Sequence, residues 1–217
     1  DLRLFKQYIP PSSNISRIST NDLENYLAWL LNERGTPCNA KSFARRLTTL
    51  KVFFKWLSDT GIIASDPAAP IAHQPVSTPL PDILYDDEVE RLLRYSRDLL
   101  WASKPDARPY VLVSLILQTA IKKSECMGIK LEHIDASNPQ APVLYIRYPM
   151  ARMRHKERKL ALSPQFLGAM RQYVAQYKPA EHLFECTARN LEYVLGDAGQ
   201  LAGIEHKSVS FEALRWT

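Results

Sequence analysis

Apolar residues recur at intervals of three and four through the first 65 positions and define two amphipathic helices. In segment 18–35, ISTNDLENYLAWLLNERG, residues Leu23, Tyr26, Leu27, Leu30 and Leu31 share one face. Ser19 or Thr20 is placed to cap that helix, Asp22 and Glu24 fall in its first turn, and Gly35 closes it. In segment 38–61 the apolar face is Phe43, Leu47, Leu50, Phe53, Phe54 and Leu57, and Gly61 ends the helix. The remaining surface of this second helix carries Lys41, Arg45, Arg46, Lys51 and Lys55, with no acidic residue before Asp59. A helix with one side to bury and one almost wholly cationic side either contacts phosphates or is simply solvated.

Residues 66–82 contain Pro67, Pro70, Pro75, Pro79 and Pro81. Proline removes backbone donors and fixes φ, so this stretch cannot be a helix and is predicted to run as an extended linker. It divides the chain into a helical domain over 1–65 and a second domain over 83–217. The second domain opens with a helix over 83–100 that has Asp86 and Asp87 near its start. A strongly apolar helix follows over 108–121, then a short helix that runs into a loop within 124–135. Strand-like stretches at 142–150 and 156–163 flank a basic connection, and helices are predicted over 164–178, over 187–203 and from 210 onward. The fold class expected is mainly α with a small antiparallel β-sheet, arranged as two domains.

Composition narrows the function classes. Hydrophobic residues make up 46% and charged residues 24%, the balance of a globular protein, and no apolar run approaches the ~20 residues of a membrane helix. The opening residues, DLRLFKQYI, lack a signal-peptide pattern, and a first residue other than Met points to natural flanks beyond this sequence. Cys38, Cys126 and Cys186 are odd in number and scattered, which predicts small buried residues in a reducing, cytoplasmic compartment rather than a disulfide framework. The histidines have no ligand spacing and there is no Gly-rich phosphate loop, so neither a metal nor another cofactor is expected.

The charge pattern is more informative than the total of +5. In LQTAIKKSECMGI (117–129) the apolar helix runs into Lys122 and Lys123, with Glu125 three residues past the first lysine. Lysines there complement a helix dipole or face a phosphate. Between the two strand-like stretches, RYPMARMRHKERK (147–159) carries Arg147, Arg152, Arg154, Lys156, Arg158 and Lys159 against the single acid Glu157.

These stretches resemble the tyrosine recombinase (phage integrase) family over nearly the whole chain. RRLTTLKVFFKWLSDTGIIASDPAAPI resembles the end of that family's core-binding domain, and LPDILYDDEVERLL the entry to its catalytic domain. TAIKKSECMGIKLEHID resembles the first catalytic box, HKERKLALS the strand after the catalytic hairpin, and FEALRWT the second box. The resemblance implies two domains that clamp duplex DNA, and a tyrosine hydroxyl that attacks a phosphodiester. Two arginines and a histidine hold the phosphate oxygens while a hairpin lysine protonates the leaving oxygen. It requires no metal or other cofactor.

Several family positions are substituted. Lys122 stands for the first arginine, Met153 for the hairpin lysine and Glu212 for the histidine, whereas Glu125 and Arg215 match. Lys122 loses the bidentate fork, Met153 has no proton to donate, and Glu212 reverses the charge. The family's nucleophile lies beyond the second box, past Thr217. The leading expectation is a sequence-specific double-stranded DNA-binding protein with a decayed catalytic site, acting in recombination, integration or target selection for a mobile element. Its expected DNA contacts are Asn39, Lys41, Ser42, Arg45, Arg46, Thr49 and Lys51 in the first domain, and Lys122, Lys123, Arg152, Arg154, Lys156 and Arg215 in the second. Two alternatives stay open: an active, divergent recombinase using a tyrosine past residue 217, and a basic helical protein-interaction module. The expected partners are DNA, other recombination or transposition proteins and further copies of the chain on DNA, in the cytoplasm at the nucleoid and not at a membrane.

Overall fold

A computed structural model of the chain describes residues 1–36, 38–73, 75–76 and 82–217. Contacts divide it into two compact units, Asp1–Pro79 and Leu80–Thr217.

The first unit is built from α1 (Leu2–Tyr8), α2 (Thr20–Asn32) and α3 (Ala40–Asp59). The cap of α2 is Ser19, not Thr20. The Ser19 N–H donates to Asp22 Oδ2 at 2.8 Å, and the Asp22 N–H donates to Ser19 Oγ at 3.3 Å, which satisfies two helix-end donors reciprocally. The apolar faces meet in a core of Leu23, Tyr26, Leu27, Leu30, Leu47, Leu50, Phe54 and Leu57, into which α1 inserts Phe5. Phe5 meets Tyr26 edge-on with ring centroids 5.0 Å apart. Burying each of the large side chains contributes about 1.5–3 kcal/mol. Leu31, expected on the inner face of α2, is half exposed at its rim.

The extended linker expected from residue 66 does not begin there. Residues 66–71 turn back onto the first unit, with Ala68 fully buried in its core. Three hydrogen bonds hold the turn: Ala68 N–H to Asp66 Oδ1, Thr20 Oγ1 to the Pro67 carbonyl and Lys51 Nζ to the Ala69 carbonyl. Prolines there suit turns as well as they suit an extended chain. The rest of the expected linker falls partly outside the described residues, at 74 and 77–81.

The second unit comprises α4 (Asp86–Asp98), α5 (Arg108–Thr119), α6 (Lys123–Met127), β1 (Ile134–Asp135), β2 (Val143–Ile146), β3 (Arg158–Ala161), α7 (Pro164–Tyr177), α8 (Ala188–Leu201) and α9 (Phe211–Trp216). Helix α5 is apolar nearly all round because it is enclosed nearly all round: α4, α7, α8 and α9 pack on it, and Val111, Leu112, Val113, Leu115 and Ile116 are fully buried. It ends on Ala120, whose φ of 48° reverses the chain and whose N–H returns to the Ile116 carbonyl at 2.7 Å.

The sheet is antiparallel in the order β1-β2-β3. Its register sets Leu144 opposite Leu160 and Ile146 opposite Arg158. The strands are shorter than the apolar pattern predicts. The Tyr148 N–H turns to Glu157 Oε1 at 3.1 Å rather than to a neighbouring strand, Pro149 has no N–H, and Ala151–Lys156 coils into a 3-10 turn. The two-residue strand β1 lies in a stretch expected to be loop. Among the described residues no helix is long and apolar enough to cross a membrane.

Candidate nucleic-acid interface

The site in the second unit is assembled around the C-terminal end of α5. The αL turn at Ala120 aims its carbonyl outward, and Arg215 from the last turn of α9 donates its Nε–H to that oxygen at 2.9 Å. Two residues later Lys122 caps α6, exposed, and makes no ion pair among the described residues. The first and second boxes, far apart in sequence, therefore meet at one backbone turn. Ala120 occupies a left-handed conformation that an L-residue adopts at a cost of about 1 kcal/mol, and the strained position is the one that receives Arg215.

Glu125 holds the hairpin to this turn. Its side chain is only 2% exposed. Arg158 of β3 grips it in bidentate fashion, Nη1 to Oε1 at 2.8 Å and Nη2 to Oε2 at 2.9 Å. The Lys122 N–H donates to Oε2 at 2.9 Å, and the Tyr148 hydroxyl donates to Oε1. Burial pushes this carboxyl upward, but the hydrogen bonds from Arg158, Tyr148 and the Lys122 N–H outweigh it and hold the pKa at about 2. Glu125 is thus a permanent carboxylate whose guanidinium partner comes from the sheet, not from position 122.

The other expected residues fall into distinct surroundings. Lys123 is paired with Glu192 of α8 at 2.8 Å. Met153 sits half-buried in the 3-10 turn, while Arg152, Arg154 and Lys156 are exposed around it and make no ion pair among the described residues. Glu212 is exposed in the first turn of α9. In the first unit the cationic face of α3 is less free than its sequence reads. Arg45 pairs with Asp1 at 2.6 Å, and Arg46, with a side chain only 12% exposed, lies beside Asp1 and Cys38. Asn39 Oδ1 caps α3 by accepting the Ser42 N–H, Thr49 hydrogen-bonds Asp1, and Lys51 is held by the Ala69 carbonyl. Lys41 stands exposed at the start of the helix.

Sequence reasoning missed the part played by Arg158 and Tyr148. The signal was present in the strand period. In β3 and the residue after it, positions 158, 160 and 162 share one face, and two of them are leucines that point inward. An arginine in phase with them requires a buried carboxylate partner.

The sequence model of the phage integrase N-terminal SAM-like domain matches residues 1–61. A tyrosine recombinase XerC of Staphylococcus haemolyticus is 26% identical over 197 residues, covering 85% of this chain and 61% of that protein. A XerC of Lactobacillus delbrueckii subsp. bulgaricus is 30% identical over 123 residues, covering 56% of this chain and 39% of that protein. The chain thus spans less than two thirds of either relative. Among solved structures, XerH site-specific recombinase bound to palindromic difH substrate superposes with a TM-score of 0.71 at 16% identity, covering 99% of this chain and 64% of that one. The lambda integrase(75-356) dimer bound to a COC' core site gives 0.67 at 14% identity, covering 99% and 77%. The integrase SAM-like match over residues 1–61, the XerC relatives and the fold shared with solved recombinases agree: the chain is similar to the tyrosine recombinase (phage integrase) family over nearly its whole length.

Proposed function

We propose that this chain binds double-stranded DNA sequence-specifically and has lost most or all of its phosphodiester chemistry. The observation that carries the reading is the divided fate of the site around Ala120. Cations that can meet a phosphate are retained there: Arg215 is anchored on the Ala120 carbonyl, Lys122 is exposed beside it, and Arg152, Arg154 and Lys156 project from the adjoining hairpin. The groups that chemistry needs are not. A pentacoordinate phosphorus carries more negative charge than the ground-state diester, and preorganised donors must meet the excess. Losing one such donor costs about 3 kcal/mol of barrier. Here Lys122 has no fork, Met153 cannot protonate a leaving oxygen, and exposed Glu212 puts a negative charge where the resemblance calls for a histidine. A ground-state phosphate tolerates these changes far better than a transition state does.

Base reading falls to the polar residues at the start of α3, where Lys41 is exposed and Arg46 has a side chain only 12% exposed. The first domain (1–65) and second domain (83–217) would each contribute contacts, and recruitment of further copies or of recombination or transposition proteins on the bound site would follow. The deciding experiment incubates the full-length protein with a nicked suicide duplex that traps any covalent 3′ attachment. The expected result is a stable, non-covalent complex. A protein–DNA adduct would overturn the loss of chemistry and establish a divergent, active recombinase.

A further inference from the structure

We infer that Arg158 binds a DNA phosphate and supplies the guanidinium that position 122 lacks. The inference deepens the DNA-binding reading and rests on it. Guanidinium carries five N–H donors in a rigid plane. Glu125 takes one from Nη1 and one from Nη2, while the Lys156 carbonyl lies at the limit of reach, 3.5 Å from Nη1. That leaves the Nε–H and the outer Nη2–H. The carboxylate is 2% exposed and the arginine side chain 38%, so one edge of the fork is locked into the protein and the other opens to solvent.

The location is right for the role. The Lys122 N–H and Arg158 Nη2 converge on the same oxygen, Glu125 Oε2, each at 2.9 Å. Arg158 therefore sits beside the residue whose fork is missing, two positions along the chain from the carbonyl that anchors Arg215. Three cations, Lys122, Arg158 and Arg215, surround one turn.

The packing is also right. A useful phosphate ligand is held still before the phosphate arrives, because immobilising a long side chain on binding costs affinity. Arg158 is held at its base by the β3 register opposite Ile146 and at its tip by Glu125. The Tyr148 hydroxyl in turn donates to Glu125 Oε1, the oxygen that Arg158 Nη1 also meets. An arginine present only to neutralise the carboxylate would gain nothing from keeping an edge in water.

The primary test uses the unmodified 217-residue chain, so it does not depend on a variant that folds. Arginines are modified with phenylglyoxal, with and without a mixed-sequence duplex at low salt, and reactivity is read peptide by peptide. Arg158 is expected to react in the free protein and to be protected by DNA. Arg158→Met is then expected to weaken duplex binding about tenfold and to reduce the slope of log affinity against log salt by about one. Arg158→Lys, which keeps the charge but not the fork, is expected to keep the slope while losing affinity. Undiminished Arg158 reactivity in a saturated complex overturns this inference and leaves the DNA-binding reading standing. Absence of any salt-dependent binding by the unmodified chain overturns both.

Discussion

Glu125→Gln keeps the side-chain shape and removes the charge at the centre of the second-unit site. In the native protein this carboxylate is buried and accepts four hydrogen bonds, two from Arg158 and one each from Tyr148 and the Lys122 N–H. Its pKa falls from the ordinary 4.5 to about 2. At about 1.36 kcal/mol per unit, the ionised form contributes roughly 3 kcal/mol to stability at neutral pH. Removing one partner of a buried pair gives an independent figure of about 3–5 kcal/mol, and the partial exposure of Arg158 favours its lower end. The sign with pH follows from the depressed folded-state pKa. The contribution is complete above the unfolded pKa near 4.5 and is lost as pH falls toward the folded value near 2. Urea denaturation followed by circular dichroism, on the native protein and the variant, measures the gap directly. The expected gap is about 3 kcal/mol at pH 7, shrinking to about half by pH 3. A gap under about 1 kcal/mol at neutral pH, or one that does not change with pH, would refute the reasoning.

Ala120→Gly relieves the left-handed backbone at the end of α5 and is expected to raise stability by about 1 kcal/mol, measured as a higher urea midpoint at unchanged slope. Gly199→Ala acts in the opposite direction: its new Cβ would lie 2.3 Å from Val209 Cγ2 and 2.8 Å from Val209 Cβ, so α8 must move away from the segment that leads into α9. The expected loss is about 3 kcal/mol, at the upper end for overpacking because the clash includes a Cβ that cannot rotate away. Glu212→Gln removes the exposed negative charge from the first turn of α9 and is expected to tighten duplex binding several-fold at low salt, read by fluorescence anisotropy, with little change in stability.

The fold was legible where local pattern and tertiary demand agree. The 3–4 spacing of Leu23, Tyr26, Leu27 and Leu30 matches the buried face of α2, and the apolar run 111–116 matches the helix enclosed by four others. It was less legible where a distant residue decides. Arg46 reads as surface charge because its neighbours in sequence are cationic, yet Asp1 and Cys38 lie beside it. The Pro-rich stretch reads as extended, yet Ala68 is small enough to enter the core and carries 66–71 with it. The sequence singled out Lys122, Glu125 and Arg215 but not the pairing of Glu125 with Arg158. Glu125 lies three residues past Lys122 and accepts its N–H, but its guanidinium partner is Arg158, 33 residues away, which the β2–β3 register brings to it.

The central claim is that cations on this fold meet a phosphate backbone, and the dependence of duplex affinity on salt tests it most directly. If Lys41, Lys122, Arg152, Arg154, Lys156, Arg158 and Arg215 each displace a counterion, log affinity falls against log salt with a slope of about −6 between roughly 50 and 200 mM. That slope is the predicted result for the 217-residue chain. A slope near zero, or no measurable affinity for duplex DNA at low salt, would contradict it.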